Sequence, residues 1–286
     1  MKTKNFFILL LLSVYSNCFS QTTQLDSMFT SEGLILANVK TVEAEVVNYA
    51  YPNEEVITSI YKNTVLKMRF KSGRIQTFKE AFALKNVNSA YDYEQVSITG
   101  LEGETKGLIK LDEVFTKAVG TMVFSNITQV KERAFRKMKI QAAMLGGNLV
   151  YMLDQSTVGN QVGSQYQSGK ATETILSGIV YTNALPKLDD VKKFIGNKKY
   201  LQSYVYISIG QNSTEIDNVS ETMPVFELGN IYEDRGLVYL NARAKSIDNQ
   251  IFRVSFADKD KIGIVWRDGK RIYNIYFNPE QSVEGK

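Results

Sequence analysis

The sequence predicts an α+β fold: a central β-β-α-β-β unit flanked by an N-terminal and a C-terminal antiparallel β block. Three observations point there. The stretch Asn126–Leu145 spaces Ile127, Val130, Ala134, Met138, Ala142 and Leu145 three or four apart, which draws one apolar stripe along an α-helix. The runs on either side are short, often alternate in polarity and are punctuated by turn residues, as half-buried strands are. Sixteen Tyr and fifteen Phe stand against one Trp, and aromatics of that kind fit a pleated surface.

The chain opens with an export signal over residues 1–20. Lys2 and Lys4 form a basic start, Phe6 to Leu12 an apolar run, and Cys18-Phe19-Ser20 a small-residue cleavage site before Gln21. The apolar run is short of the roughly 20 residues that a membrane span needs, and no other stretch supplies one. The expectation is an exported chain, periplasmic or extracellular, with no transmembrane span once mature. Cys18 also raises lipoprotein anchoring. Tyr15 and Asn17 stand where a lipoprotein signal carries a leucine and a small residue, so a free N-terminus at Gln21 is the expected product.

Cleavage removes two lysines and no acid, so the formal charge falls from +4 to +2. That is far from the strongly basic domain of a nucleic-acid binder. It also removes the only cysteine, from a chain that has no histidine. No disulfide framework is available, and stability has to come from buried cores.

Residues 21–31 read as a polar lead-in. Residues 32–84 read as an antiparallel β block, with strands at Val56–Tyr61, Val65–Phe70 and Arg74–Phe78 and hairpin tips at Lys62-Asn63 and Ser72-Gly73. Val42, Ala44 and Val46 alternate with Glu43, Glu45 and Val47 as a further strand. Residues 85–185 form the helix-plus-sheet domain, with strands expected at 95–99, 117–124, 149–153 and 172–182 around the helix. Asn126 is its N-cap and Gly146-Gly147 its left-handed stop. Residues 155–170 are Gly-, Ser- and Gln-rich and read as a mobile hairpin tip. Gly178 marks a bulge or a close approach. Residues 186–286 are a β-rich C-terminal domain: a short helix over Leu188–Ile195, one strictly alternating strand Leu201–Ile209, then a meander or small barrel. Asp268-Gly269 is its strongest hairpin signal.

Catalytic chemistry finds little to stand on. Without histidine, Ser–His–Asp and Cys–His sites are excluded. Ser59 and Lys62 have Ser–Lys spacing but sit on a strand, where residues three apart face opposite ways. The adjacent carboxylates Glu54/Glu55, Asp189/Asp190 and Glu233/Asp234 lie in turns or helix starts, where acids are usually just solvated. Asp258-Lys259-Asp260 lacks the closing glutamate of a calcium loop and suits a hairpin turn. No cofactor or metal is expected. One surface merits a binding role: Lys131, Arg133, Arg136, Lys137 and Lys139 oppose a single acid, Glu132, along the helix. Such a stripe suits an anionic envelope component or an acidic envelope protein.

Two resemblances accompany this reading. The pattern Y-x-Y-P-x-E at Tyr49–Glu54, followed by S-I-x-K-N and F-x-S-G-R, resembles uncharacterised secreted bacterial proteins. The run A-F-R-K-M-K-I-Q-A-A-M-L-G-G-N-L-V, Ala134–Val150, followed by S-G-I-V-Y, resembles the core of the Rcs envelope-stress sensor lipoprotein. It is also similar to small bacterial domains ascribed to heavy-metal binding. The likeness spans residues 94–183 and implies a helix packed on a small sheet. The sensor's disulfides and the ligands of a soft-metal site have no counterpart here, since Cys and His are missing. The expectation is a non-catalytic secreted or envelope-associated protein that binds another envelope component. A carboxylate-dependent glycan hydrolase and a small-ligand or metal sensor are the alternatives.

Overall fold

The computed structural model describes residues 24–30, 33–78, 84–122, 125–163, 169–210, 213, 215–219 and 222–278. The expected export signal and Cys18 lie outside them. The described chain is strand-rich, and its three sheets are predominantly antiparallel.

The first sheet has six strands: β1 (Asp26–Thr30), β2 (Gly33–Val42), β3 (Val46–Ala50), β4 (Thr58–Tyr61), β5 (Val65–Arg69) and β6 (Ile75–Thr77), in the order β4-β3-β2-β1-β5-β6. Four strand spacings separate β4 from β5, about 19 Å in a flat sheet. Only the single 3-10 turn Lys62–Thr64 joins them, and such a link spans at most about 14 Å. The sheet must therefore curl on itself. Its interior holds Met28, Ala37, Val47, Tyr49, Val65 and Met68.

Three sequence expectations change here. Residues 26–30 are not a polar lead-in but β1, paired with both β2 and β5. Asp26 and Met28 point inward, and with a carboxylate at one of two core positions the apolar alternation is hidden. The Asp26 carboxylate accepts from Val39 N–H (2.8 Å) and Lys71 N–H (2.7 Å), next to the bulge that breaks register between Val39 and Thr41. Residues Val42–Val46 are a hairpin turn, not a continuous strand, closed by Glu43 N–H to Val46 O. Lys62-Asn63 is a crossover, not a hairpin tip, because β4 and β5 do not pair.

The second sheet comprises β7 (Ser97–Thr99), β8 (Ile109–Val119), β9 (Leu149–Val158) and β10 (Glu173–Thr182), in the order β7-β9-β10-β8. Helix α1 (Ile127–Met144) packs across it. Two boundaries move from expectation. The strand expected at 117–124 runs instead over 109–119, where Lys110, Asp112, Glu113 and Lys117 mask the buried alternation of Val114, Thr116 and Ala118; residues 123 and 124 lie outside the described residues. Gln155–Val158, expected in a hairpin tip, continue β9 against β10. Asn160 fastens the strand end: its Oδ1 accepts from Thr172 Oγ1 (2.7 Å) and its Nδ2 donates to Ser125 O (3.2 Å). The rest of the expected tip, residues 164–168, lies outside the described residues. At Gly178 the register shifts, and a Cβ there would stand 2.8 Å from Tyr151 O, so both a bulge and a close approach occur.

The third sheet is built from β11 (Tyr200–Gln202), β12 (Val205–Ile209), β13 (Asp217–Asn218), β14 (Val225–Asp234), β15 (Leu237–Arg243), β16 (Ile251–Ala257), β17 (Ile262–Asp268) and β18 (Arg271–Phe277). The order is β11-β14-β15-β16-β17-β18-β12-β13. β11 and β12 are six strand spacings apart, yet only Ser203 and Tyr204 join them. The sheet is therefore closed. Leu201–Ile209, expected as one strand, is two strands joined by a corner. Ser203 N–H bonds to Pro224 O on one side, and Tyr204 N–H to Tyr276 O on the other. Facing switches at the corner: Leu201 fills the barrel, while Ile207 and Ile209 point outward to α1.

Inside the barrel Phe226 meets Phe252 and Phe277 edge-on, at 5.5 and 5.3 Å between ring centres. Helix α2 (Leu188–Ile195) adds Val191, Phe194 and Ile195 to this core. The hairpin signal at Asp268-Gly269 resolves to a two-residue turn, Gly269-Lys270, with Gly269 at φ +53°. Asp258 makes the β16–β17 turn, its Oδ1 accepting from Asp260 and Lys261 N–H.

The barrel and the second sheet share a core. Outward-facing Ile207, Ile209, Val265, Ile272 and Tyr276 pack with α1 residues Ile140, Ala143 and Met144. α1 thus lies between two sheets, and every residue from Ile140 to Leu145 is buried. The buried Tyr276 hydroxyl accepts from Ala90 N–H at 2.9 Å across this junction.

Candidate functional site

The candidate site grows from the two ends of α1. At the start, Asn126 Oδ1 accepts from Thr128 N–H (2.8 Å) and Gln129 N–H (3.4 Å), so a side chain satisfies donors the helix leaves open. At the end, Gly147 N–H bonds to Ala142 O and Gly146 N–H to Ala143 O, the paired closure of a left-handed glycine stop. Gly146 has φ +74°, and a Cβ there would run into the Ser255 carbonyl. The Arg253 guanidinium, buried in the barrel wall, donates to Leu145 O at 2.8 Å and places a cation where the helix dipole favours one.

Between these ends the five basic residues do not form one solvated stripe. Lys137 is only 2% exposed. Lys131, Arg133 and Lys139 are half-buried, and Arg136 alone is exposed, its guanidinium 5.5 Å from the Tyr93 ring centre. Ile127, assigned to the apolar stripe, is 42% exposed, because the sheet ends short of the first helical turn.

The reason lies in β8. It is the edge of its sheet and, among the described residues, pairs only with β10. Gly120 N–H bonds back to Thr172 O. In an antiparallel ladder inward and outward residues alternate, so Glu113, Phe115, Lys117 and Val119 turn their backbone groups away from β10. Arg133 Nη2 donates to Val119 O at 3.1 Å, Lys137 Nζ to Lys117 O at 2.6 Å, and Arg267 Nη2 to Glu113 O at 2.9 Å. Residues one helical turn apart are about 6 Å apart, and alternate strand residues about 6.7 Å. The i, i+4 pair on α1 therefore matches the i, i+2 pair on β8. Burial, and then repulsion from Arg133, lower the Lys137 pKa from 10.5 to about 8. Two of the five candidates are thus committed to the fold.

Of the remaining cations, Lys131, Arg136 and Lys139, Arg136 borders the open side at the start of the helix. There a hollow of about 630 Å³ is lined in part by Thr121, Met122, Gln129, Glu132, Arg133 and Arg136. Met122 is 72% exposed at its rim. The paired carboxylates lie elsewhere: Glu54/Glu55 after β3, Asp189/Asp190 in the first turn of α2 and Glu233/Asp234 at the end of β14, all exposed. Among the described residues no cluster of acidic, His or Cys side chains is arranged to hold a metal ion, and no helix is long and apolar enough to cross a membrane.

Sequence reasoning passed over Arg253, Arg267 and Gln141. An arginine within an alternating strand reads as a solvated residue, and its partner carbonyls lie more than a hundred positions away. Gln141 sits among apolar neighbours and is 2% exposed, with its Oε1 unpartnered. No family model, no curated protein and no solved structure matches this chain.

Proposed function

We propose that the chain is a non-catalytic exported protein whose β-β-α-β-β unit binds an anionic envelope component through the cationic side of α1. The supporting observation is the division of the helix: its last residues, Ile140–Met144, are enclosed between two sheets, while Glu132 and Arg136 in the turns before them stay exposed. Half-buried Lys131 and Lys139 and exposed Arg136 cap no β8 carbonyl, and Arg136 lines the hollow whose rim carries exposed Met122. A cationic surface with an apolar rim suits phosphate headgroups, whose charge it meets at distances where salt screens strongly.

The test is cosedimentation of the chain lacking residues 1–20 with vesicles, with and without anionic lipid. The expected result is binding to anionic vesicles that weakens with salt. The triple reversal Lys131→Glu/Arg136→Glu/Lys139→Glu should reduce it by about tenfold or more. The folded state should survive, because Arg136 is exposed and half-buried Lys131 and Lys139 make no bond to the β8 edge. Equal sedimentation of the triple variant would end this reading of the helix face.

A further inference from the structure

A second cavity, of about 270 Å³, lies on the other side of the Lys137 contact, lined by Phe115, Gln141, Arg267, Gly269 and Lys270. It is a notch in the capped edge of β8. Arg267 covers the Glu113 carbonyl and Lys137 the Lys117 carbonyl. Phe115, the outward-turned residue between them, has no partner for its backbone N–H and C=O among the described residues.

We infer that this notch binds a carboxylate together with an adjacent N–H, as carried by an amino acid or by the last residue of a peptide chain. The inference is independent of the helix face proposed above. The lining carries both halves of the required chemistry. For the carboxylate there are the Lys270 ammonium, the Phe115 N–H and the Arg267 guanidinium. Arg267 already meets Asp112 at 3.0 Å, which orients it at the rim. For the N–H there is Gln141 Oε1. This side chain is 2% exposed, and among the described residues its oxygen has no hydrogen-bond partner. A buried carbonyl oxygen left unpaired is costly and calls for a donor. The Phe115 ring, 44% exposed, adds an apolar wall. The volume lies just below the usual range for small-molecule sites, about 300–1,000 Å³, and suits a single residue. Main-chain groups on an edge strand next to cations are also how extended peptide ends are commonly held.

The probe is N-acetyl-leucine, titrated into the chain lacking residues 1–20 and followed by amide resonances. The expected result is a saturable shift of the Phe115 amide. Isocaproate, which lacks the N–H, and N-acetyl-leucinamide, which lacks the carboxylate, should each bind about tenfold or more weakly, one hydrogen bond to a buried group being at stake. Gln141→Leu, an apolar replacement of similar shape, should fold and lose the preference for N-acetyl-leucine over isocaproate. Lys270→Glu, on an exposed turn, should fold and lose affinity for both acids. Free leucine binding as well as its acetylated form identifies the free amino acid as the natural source, and a preference for the acylated form identifies a chain terminus. No shift at Phe115, equal response to all three compounds, or undiminished selectivity in Gln141→Leu overturns the proposal.

Discussion

The two curled sheets at either end of the described chain solve the same geometric problem with different means. The N-terminal one joins distant strands by a three-residue 3-10 crossover and encloses six buried residues around the Asp26 carboxylate. The C-terminal one closes through a strand that turns a corner and pairs on both sides of it, around a core of sixteen buried residues with a Phe cluster at its centre. The second is also braced from outside, since β12, β17 and β18 are covered by α1. The N-terminal sheet meets the middle unit at contacts such as the exposed Lys106–Glu45 pair and the approach of Tyr61 to Gly107. Local stability follows buried contact density, so the N-terminal unit is the one that opens at lower free energy.

Phe226→Ala tests the stronger side of this comparison and carries the largest expected effect. Truncating a fully buried phenylalanine costs about 3–5 kcal/mol. Because the barrel wall and α1 share a core, amide protection should fall together in α1 and in β14–β18, while β1–β6 keep theirs. Separate melting of helix and barrel would show that the shared core does not couple them.

Asp26→Ala tests the weaker side. It leaves Val39 N–H and Lys71 N–H without their acceptor, and because both bonds are only part-buried the cost should be about 1–3 kcal/mol in all. Hydrogen exchange should accelerate across β1–β6 and remain unchanged in α1. Acceleration spread evenly over the chain would mean that the units open as one.

The smallest effect concerns Lys137, in the helix between the second sheet and the C-terminal barrel. Its folded pKa, about 8, lies below the 10.5 of an unperturbed lysine. The folded state therefore binds fewer protons than the unfolded state between those values, and stability rises with pH across that window. The penalty is fully present below pH 8, and full relief amounts to at most about 3 kcal/mol. Above pH 10 the gain is opposed by Tyr49, whose pKa is raised to about 12, chiefly by burial. Such a group adds stability below the unfolded value and loses it as the pH rises through the folded one. Denaturation midpoints should accordingly climb from pH 8 to 9.5 in the parent chain and stay flat in Lys137→Met. A parallel climb in both would assign the effect to other groups.

Where the sequence was legible, the signals were local. Asn126, the i, i+4 apolar spacing and Gly146-Gly147 mark α1 within a single window, and Gly196 ends α2 in the same way. The Gly269 turn is equally local. Where it was not, the deciding contacts were distant. The corner at Ser203-Tyr204 leaves the alternation of Leu201–Ile209 intact, because the facing switches when a second sheet partner arrives. β1 was hidden by a single buried acid. The roles of Arg133 and Lys137 depend on an edge strand whose carbonyls carry no mark in the sequence, so cations committed to β8 and cations open to solvent read alike.

The three cations along β8 reach it at different times during synthesis. β8 ends at Val119 and α1 begins at Ile127, so Arg133 and Lys137 arrive within about one further helix of chain. Arg267 follows only when nearly the whole polypeptide has been made. Until then the Glu113 end of a long strand stands open, a ready template for a neighbouring chain. A nascent or truncated product that stops short of β17 therefore carries a half-sealed edge. Fragments cut at the apparent boundary near residue 185 should clump where the whole chain stays dispersed.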